Sequence, residues 1–217
     1  MVLGHAMKNA AAGTVTVEDV ARTCSISRAT VSRVLNGAAR VRPATVDRVQ
    51  RAIAKLGYHP NAHARALVGG KSNIIGLVVA DNANPFYARM IRGIEEASTT
   101  NGFSVILSNT NEDPDREASA IQVLREKRVD GLLITSVQCG KVLLEPLLKD
   151  KTPFVLLNRY VDGLVADCVL NDNFMGAYLA TAHLCSLGHR RIMHLTGPGN
   201  ISSVRERLNG YQKALDE

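Results

Sequence analysis

From residue 73 onward, short apolar runs of the chain alternate with longer segments that have apolar residues at helical spacings. This alternation predicts an α/β domain with a parallel sheet and helices on both faces, because parallel strands need a crossover between them. The predicted strands are Ile74–Ala80, Phe103–Ser108, Gly131–Thr135, Phe154–Asn158, Cys168–Asn171 and Ile192–Thr196. The predicted helices include Pro85–Asn101, Asp115–Lys127, Val142–Leu148 and Phe174–Leu187.

The residues before this segment have a different pattern, which predicts an α-helical head of three short helices. Thr16 can cap the first helix, Ser27 can cap the second, and the third follows Pro43 and ends at Gly57. Each helix has a narrow apolar stripe, so the three predict one small shared core. The tight turn between the first two helices is typical of a helix-turn-helix.

Charge separates the same two parts of the chain. The first 72 residues have 11 Lys and Arg against 3 Asp and Glu, whereas the remainder has 15 against 17. A basic head on a near-neutral body is the distribution expected when only one end contacts phosphate. An imbalance of this size also serves solubility, so charge alone does not identify a DNA-binding protein.

Several other classes of protein are disfavoured by the sequence. The apolar run 74–80 is far too short to span a bilayer, and residues 1–14 have the composition of a disordered tail, not of a signal peptide. The four cysteines are widely scattered, which favours reduced thiols over disulfides or metal ligands. We therefore expect a cytoplasmic protein without a cofactor, a metal or a membrane partner, and with nucleoid association when it is bound to DNA.

The second predicted helix has a surface suited to the major groove of DNA. On a helical wheel, Val31 and its apolar neighbours lie on one side, while Ala29 and Arg33 lie opposite, flanked by Arg28 and Ser32. Arginine can bond a guanine edge with two donors, and an alanine methyl can contact a thymine methyl. An ordinary solvated helix face has a similar composition, but the helix-turn-helix context favours DNA recognition.

Six stretches in this order resemble the lactose/galactose-repressor family, also called the LacI/GalR family. They are TVEDVARTCSISRATVSRVLNG at 16–37, LGYHPNAHARAL at 56–67, NPFY at 84–87, RVDGL at 128–132, LGHRRI at 187–192 and RLNGY at 207–211. The set covers the whole chain from about residue 15. Each stretch alone is weak evidence for this family, whereas the six stretches together, in this order and spacing, are highly specific for it.

The resemblance implies a DNA-binding regulator that acts as a homodimer on double-stranded, near-palindromic operator DNA. It places Arg28, Ala29 and Arg33 at base-reading positions and Thr30, Ser32 and Asn36 at phosphate-contacting positions, and we add the cap residues Thr16 and Ser27 to the interface. It also implies a hinge helix that folds on the operator and inserts Leu67 into the minor groove. We expect Asn61, Ala64 and Arg65 to contact DNA with it. A core or linker leucine is the alternative for Leu67.

The resemblance further implies a small effector, a sugar or a sugar acid, bound in a two-lobed fold like that of periplasmic binding proteins. In such folds the ligand lies at the carboxyl ends of the strands. The matching residues are Asn84, Phe86, Asn158, Arg159, Asn171, Asp172 and Arg207. Some have simpler alternatives: Asn84 and Asp172 can cap helices, Phe86 can belong to the core, and Arg159 can be an exposed loop arginine.

These inferences divide the chain into four parts. They are a tail at 1–14, a helix-turn-helix domain at 15–59, a hinge helix and linker at 60–73, and a partial periplasmic-binding-protein-like domain at 74–217. Family members are longer, so the resemblance implies a chain truncated at its C-terminus, with an incomplete second lobe. The family has glycine where this chain has Ser25, and we expect serine to reduce stability slightly there.

Two other functions remain to be compared with regulation. An enzyme would need a nucleophile, a base and an orienting group, and the six histidines are dispersed. Residues 197–202 resemble a dinucleotide loop, but Ser202 replaces its third glycine and Pro198 stiffens it. A secreted sugar-binding protein would share the body of the chain, but it would not need the basic head.

Overall fold

The computed structural model describes residues 15–35, 41–58 and 71–217. These residues belong to two compact units, one before and one after the Gly69–Gly70 peptide bond. The predicted tail, the hinge helix and the candidate DNA contacts Asn36, Asn61, Ala64, Arg65 and Leu67 lie outside the described residues. The helix-turn-helix and linker boundaries therefore remain predictions.

The first unit contains three helices, α1 (Val17–Thr23), α2 (Arg28–Leu35) and α3 (Pro43–Leu56). Their shared core is formed by buried residues of all three helices and of the turn after α1: Val20, Ala21, Cys24, Val31, Val49 and Ala52. Thr16 and Asp19 form a reciprocal capping box at the start of α1, with the Asp19 amide donating to the Thr16 hydroxyl at 3.3 Å. The predicted three-helix head is thus confirmed over the described residues.

Ser25 adopts the left-handed conformation that ends α1, with φ of 50°. Its amide donates to the Arg22 carbonyl at 3.1 Å, and the Ile26 amide donates to the Ala21 carbonyl at 3.1 Å. This pair of bonds is a Schellman motif, in which the residue at the left-handed position is usually glycine. The chain thus keeps the turn in spite of the serine.

We predict that Ser25→Gly stabilises the head, because glycine adopts a positive φ without the steric cost of about 1–2 kcal/mol that other residues incur. The larger entropy of glycine in the unfolded chain offsets part of this gain. Thermal unfolding followed by circular dichroism measures the change. Ser25→Ala is the matched control, since it removes the hydroxyl without relieving φ. A glycine variant no more stable than the alanine variant would contradict the prediction.

The second unit contains a five-stranded parallel sheet in the order β2-β1-β3-β4-β5. The strands are β1 (Ile74–Val79), β2 (Ser104–Asn109), β3 (Gly131–Ile134), β4 (Phe154–Leu157) and β5 (Asp167–Val169). The helices are α4 (Pro85–Thr100), α5 (Pro114–Glu126), α6 (Gly140–Lys149), α7 (Asn173–Ser186) and α8 (Ser202–Asp216). This arrangement confirms the predicted α/β fold class.

Helices cover both faces of the sheet, as the sequence predicts. Leu77 and Val79 of β1 pack with α4 on one face, while Val78 between them packs with α5 and α6 on the other. Alternate residues of β1 are therefore buried on opposite faces, which explains why this strand is apolar throughout. Among the described residues, no helix combines the length and the apolar character needed to cross a membrane.

The predicted strand Ile192–Thr196 is wrong. These residues have no strand conformation, and Met193 and Leu195 are 81% and 88% exposed. The apolar alternation is present in the sequence, but no strand of the described chain lies beside it to accept its backbone hydrogen bonds. A strand forms only with a neighbour, so the local pattern was not sufficient.

Several motifs of the family-like stretches have structural functions in this unit. The Asp130 carboxylate accepts hydrogen bonds from the Ser72 amide, the Ser72 hydroxyl and the Asn73 amide at 2.8–2.9 Å, and so holds the start of β1. Gly188 ends α7 with φ of 84°. Gly210 lies where α8 crosses α7 so closely that a Cβ atom would be 2.1 Å from the Phe174 carbonyl oxygen.

We predict that Gly210→Ala destabilises the second unit by at least about 3 kcal/mol, the upper end of the usual cost of overpacking, because the obstacle is backbone. The matched control is Gly93→Ala in the middle of α4, where a Cβ atom would meet nothing within 4 Å. That substitution should stabilise the protein by about 0.5–1 kcal/mol. Urea unfolding of both variants checks the opposite signs, and equal effects would refute the packing argument.

Candidate nucleic-acid interface and effector site

The exposed face of α2 has the arrangement that the helical wheel predicts. Val31 is fully buried in the core of the head, which turns Arg28, Ala29 and Arg33 to the surface. Thr30 and Ser32 are half-buried at the edge of this face. The first turn of α2 has no acidic residue. The described part of the recognition helix therefore offers two arginines and one methyl group for base contacts.

Thr16 and Ser27 are engaged within the head. The Thr16 hydroxyl donates to Asp19 at 2.7 Å, and this hydrogen bonding lowers the pKa of the Asp19 carboxyl. The Ser27 hydroxyl oxygen accepts a hydrogen bond from the Thr30 amide at 3.2 Å, so it caps α2. Both side chains thus have structural functions in this structure, and their contacts with DNA stay predictions.

One charged neighbour of the recognition face was missed by the sequence argument. Glu18, in the first turn of α1, places a carboxylate oxygen 3.9 Å from the Arg28 guanidinium. Both side chains are exposed, so this ion pair contributes little to stability. The wheel of α2 alone could not reveal it, because the carboxylate comes from a different helix.

Most of the candidate effector residues follow strands at the carboxyl end of the sheet, whereas Arg207 lies within α8. The strand order reverses between β1 and β3, since the chain runs from β1 to β2 on one side and continues to β3 on the other. Ligand sites of open parallel sheets form at such a switch point. Asn84 and Phe86 follow β1, Asn158 and Arg159 follow β4, and Asn171 follows β5.

Arg159 is not an exposed loop residue. It is 6% exposed, and its guanidinium donates two hydrogen bonds to the Glu112 carboxylate, at 2.8 and 2.6 Å. Gln138 donates a third hydrogen bond to Glu112 at 2.6 Å. Glu112 and Gln138 were missed by the sequence argument, although each follows a strand, β2 and β3 respectively. The same positional rule that selected Arg159 would have found them.

Glu112, Gln138 and Arg159 are here called the polar floor. Glu117, which is fully buried, supports it by accepting hydrogen bonds from the Ser136 hydroxyl at 2.7 Å and from the Gln138 amide at 2.9 Å. Burial raises the pKa of the nearby Tyr87 hydroxyl. Asn158, which follows β4, has a left-handed backbone conformation, and its side-chain Oδ1 accepts a hydrogen bond from the Asn171 side-chain Nδ2 at 3.4 Å.

Among the other candidate effector residues, two cap helices, whereas Phe86 and Arg207 are not explained by these simpler alternatives. Asn84 caps α4 by accepting from the Phe86 amide at 3.0 Å, as in the simpler alternative, whereas Phe86 is 40% exposed and is not part of the core. Asp172 caps α7 by accepting from the Met175 amide at 2.8 Å. Arg207 donates to the Asn173 side chain at 2.8 Å and, with Asp172, lines an open pocket of about 370 Å³.

No metal centre or dinucleotide loop is found in the part of the chain that the structure describes. None of its groups of His, Cys, Asp and Glu has an arrangement that could hold a metal ion. Ser202, the residue at the third position of the glycine-rich loop, is 2% exposed and its hydroxyl accepts from the Tyr160 amide at 3.0 Å. Residues 197–200 are exposed, so only the end of this loop, Ile201 and Ser202, packs into the protein where α8 begins.

We predict that protonation of Glu112 destabilises the second unit. Hydrogen bonding from Arg159 lowers the pKa of the Glu112 carboxyl from its ordinary value of 4.5. A lowered pKa contributes stability that is fully present above 4.5 and is lost as the pH falls through the lowered value. Urea unfolding between pH 7 and about pH 3 measures this. Glu112→Gln should show a shallower loss over the acidic range, and an equal slope would contradict the prediction.

Comparison with known proteins supports both halves of this description. Residues 72–217 match the family model of periplasmic binding proteins and the sugar-binding domain of the LacI family, and residues 16–61 match that of bacterial regulatory proteins of the lacI family. The chain is 34% identical to the HTH-type transcriptional regulator DegA of Bacillus subtilis over 93% of its length, and 37% identical to GalR of Escherichia coli over the same share. It spans 61% and 59% of these two relatives.

Solved structures agree with the fold. The lac repressor dimer bound to operator and the anti-inducer ONPF is 30% identical, with a TM-score of 0.80 over 94% of this chain and 62% of that one. The complex of the transcriptional regulator CelR with cellobiose is 35% identical, with a TM-score of 0.58 over 93% and 61%. The names of these relatives agree with the prediction of a regulator, not an enzyme. Since one family model matches most of the chain and the other matches its head, the chain belongs to the LacI family of bacterial regulatory proteins.

Proposed function

We propose that the protein is a sequence-specific DNA-binding transcription regulator that represses its target and whose operator binding is controlled by a small sugar-like effector. The observation that carries the proposal is the exposed α2 face, where burial of Val31 in the core orients Arg28, Ala29 and Arg33 outward. These residue types match the hydrogen-bonding and methyl patterns of the major groove. The capped helix and the Schellman turn hold them on a rigid support.

Homodimerisation is part of the proposal. One short helix reads only a few base pairs, and two linked heads gain affinity because the second binds at a high effective concentration. The lac repressor is a dimer on its operator in the structure that this chain resembles. We extend that arrangement to this protein, with double-stranded operator DNA as the partner and the cytoplasm and its nucleoid as the place of action.

Effector control is supported by the carboxyl end of the sheet. The polar floor, the Asn158–Asn171 pair and the exposed Phe86 ring follow strands at the carboxyl end of the sheet, where parallel α/β sheets bind small molecules. Amides, a carboxylate and an aromatic ring suit a polyhydroxylated ligand. Arg207 and Asp172 extend this set at the pocket beside α7.

We predict that Arg33→Ala removes most of the preference for operator over random DNA. One lost bidentate base contact costs about 1–3 kcal/mol, whereas nonspecific binding depends mainly on the total charge. Operator DNA is first selected from a random library with the parent protein. Fluorescence anisotropy then compares selected and random duplexes at fixed salt.

The charge-matched control is Arg92→Ala. Arg92 is exposed on α4 in the second unit, where it pairs with Glu96 at 2.9 Å. Arg92→Ala removes the same charge as Arg33→Ala and should leave the preference for operator over random DNA unchanged. Equal weakening on both duplexes by Arg33→Ala would show that Arg33 contacts phosphate and not bases. Failure of the parent protein to select any sequence would overturn the proposed function.

A further inference from the structure

The Glu112 carboxylate of the polar floor can accept more hydrogen bonds than it accepts in this structure. It accepts two hydrogen bonds from Arg159 and one from Gln138. A carboxylate has about four lone-pair sites, so about one acceptor site remains. The Glu112 side chain is 37% exposed, while that of Arg159 is 7% exposed. The group that the floor presents to solvent is therefore the carboxylate, with the guanidinium behind it.

The guanidinium of Arg159 is already paired with a carboxylate and its side chain is only 7% exposed, so a ligand anion has little access to it. Both of its terminal nitrogens donate to Glu112. Its Nε is buried and has no hydrogen-bond partner among the described residues. A buried N–H without an acceptor is costly. The positive charge, however, is already neutralised by the carboxylate in front of it.

The floor is also held rigidly. Glu117 fixes the loop after β3 through the Ser136 hydroxyl and the Gln138 amide, and this leaves the Gln138 side chain 2.6 Å from Glu112. Ligand-contacting groups discriminate well when their own positions are fixed by such supporting bonds. Glu112 therefore cannot turn away from a ligand without breaking three hydrogen bonds.

We propose that Glu112 is an effector-contacting residue and that it selects a neutral polyhydroxylated ligand over the acid or phosphate ester of the same sugar. A ligand hydroxyl donates to the open Glu112 lone pair. A ligand carboxylate or phosphate offers no donor there, and it meets a like charge. This inference depends on the proposed effector control, and it narrows the ligand class from sugar or sugar acid to neutral sugar.

The test measures the thermal stability of the protein, followed by calorimetry of each compound that stabilises it. The neutral probes are D-ribose, D-glucose, D-galactose and cellobiose, and the anionic probes are ribose 5-phosphate, D-gluconate, glucose 6-phosphate, D-galactonate and cellobionate. We expect stabilisation by at least one neutral probe and none by its acidic derivative. Glu112→Gln should weaken binding of that sugar about 10- to 100-fold, as expected for loss of a hydrogen bond to a charged group.

Glu112→Gln leaves Arg159 with an uncancelled charge, so this variant should also gain response to an anionic probe. Two further variants, a double variant and an exposed control, separate recognition from folding. Glu112→Gln combined with Arg159→Gln removes both charges, and it should lose the neutral sugar without gaining the anion. Glu126→Gln, an exposed change at the last residue of α5, should behave like the parent protein.

The inference is overturned if an acidic derivative binds as tightly as its neutral sugar, or if Glu112→Gln leaves the ligand preference unchanged. It is also overturned if no probe stabilises any variant. DNA selection by anisotropy is run on the same preparations. A protein that selects an operator but shows no such sugar preference refutes only this inference, whereas one that selects no operator refutes the proposed function.

Discussion

The parallel pairing of β1 with both β2 and β3 is the constraint on which the second unit depends. Because β1 pairs in parallel with a strand on each side, crossover helices lie on both faces of the sheet and bury the residues of β1 on both. The chain crosses from β1 to β2 on one side and continues to β3 and β4 on the other. The loops after β2 and β4 therefore meet at the carboxyl end of the sheet, where Glu112 and Arg159, 47 residues apart in the chain, are in direct contact.

In the head, too, buried side chains determine how the helices are oriented. Its core consists of a few side chains from three short helices, none of which would be stable alone. Burial of Val31 fixes the rotation of α2, and the left-handed Ser25 fixes its angle to α1. A buried residue thus determines which side chains of α2 face solvent. Ser25 has the less favourable residue type at this turn, yet the two hydrogen bonds of the Schellman motif are present.

The sequence was sufficient to predict the elements whose signal is local. Apart from Ile192–Thr196, the strands and helices that were predicted for the second unit begin and end within a residue or two of their predicted bounds, because periodicity and caps are properties of neighbouring residues. No bounds were predicted for α8. The exposed face of α2 was predictable for the same reason. Contacts between distant segments were not: the Glu112–Arg159 pair, the Glu18 carboxylate beside Arg28 and the missing neighbour of Ile192–Thr196 all depend on tertiary structure.

The family-like motifs and the candidate specificity residues have different physical functions. Asp130 holds the start of β1, Gly188 ends α7, and Gly210 permits a close helix crossing. These residues are needed by any chain with this fold, so they identify the family without specifying a ligand or an operator. Specificity must then come from residues that the fold positions but does not require. In our proposals Glu112 and Arg33 are of this kind: Glu112 is held by Arg159 and Gln138 with its side chain 37% exposed, and Arg33 is exposed on a helix whose rotation is set by the buried Val31. Family membership therefore defines the scaffold, and we propose that a small number of exposed or partly exposed side chains defines what the protein recognises.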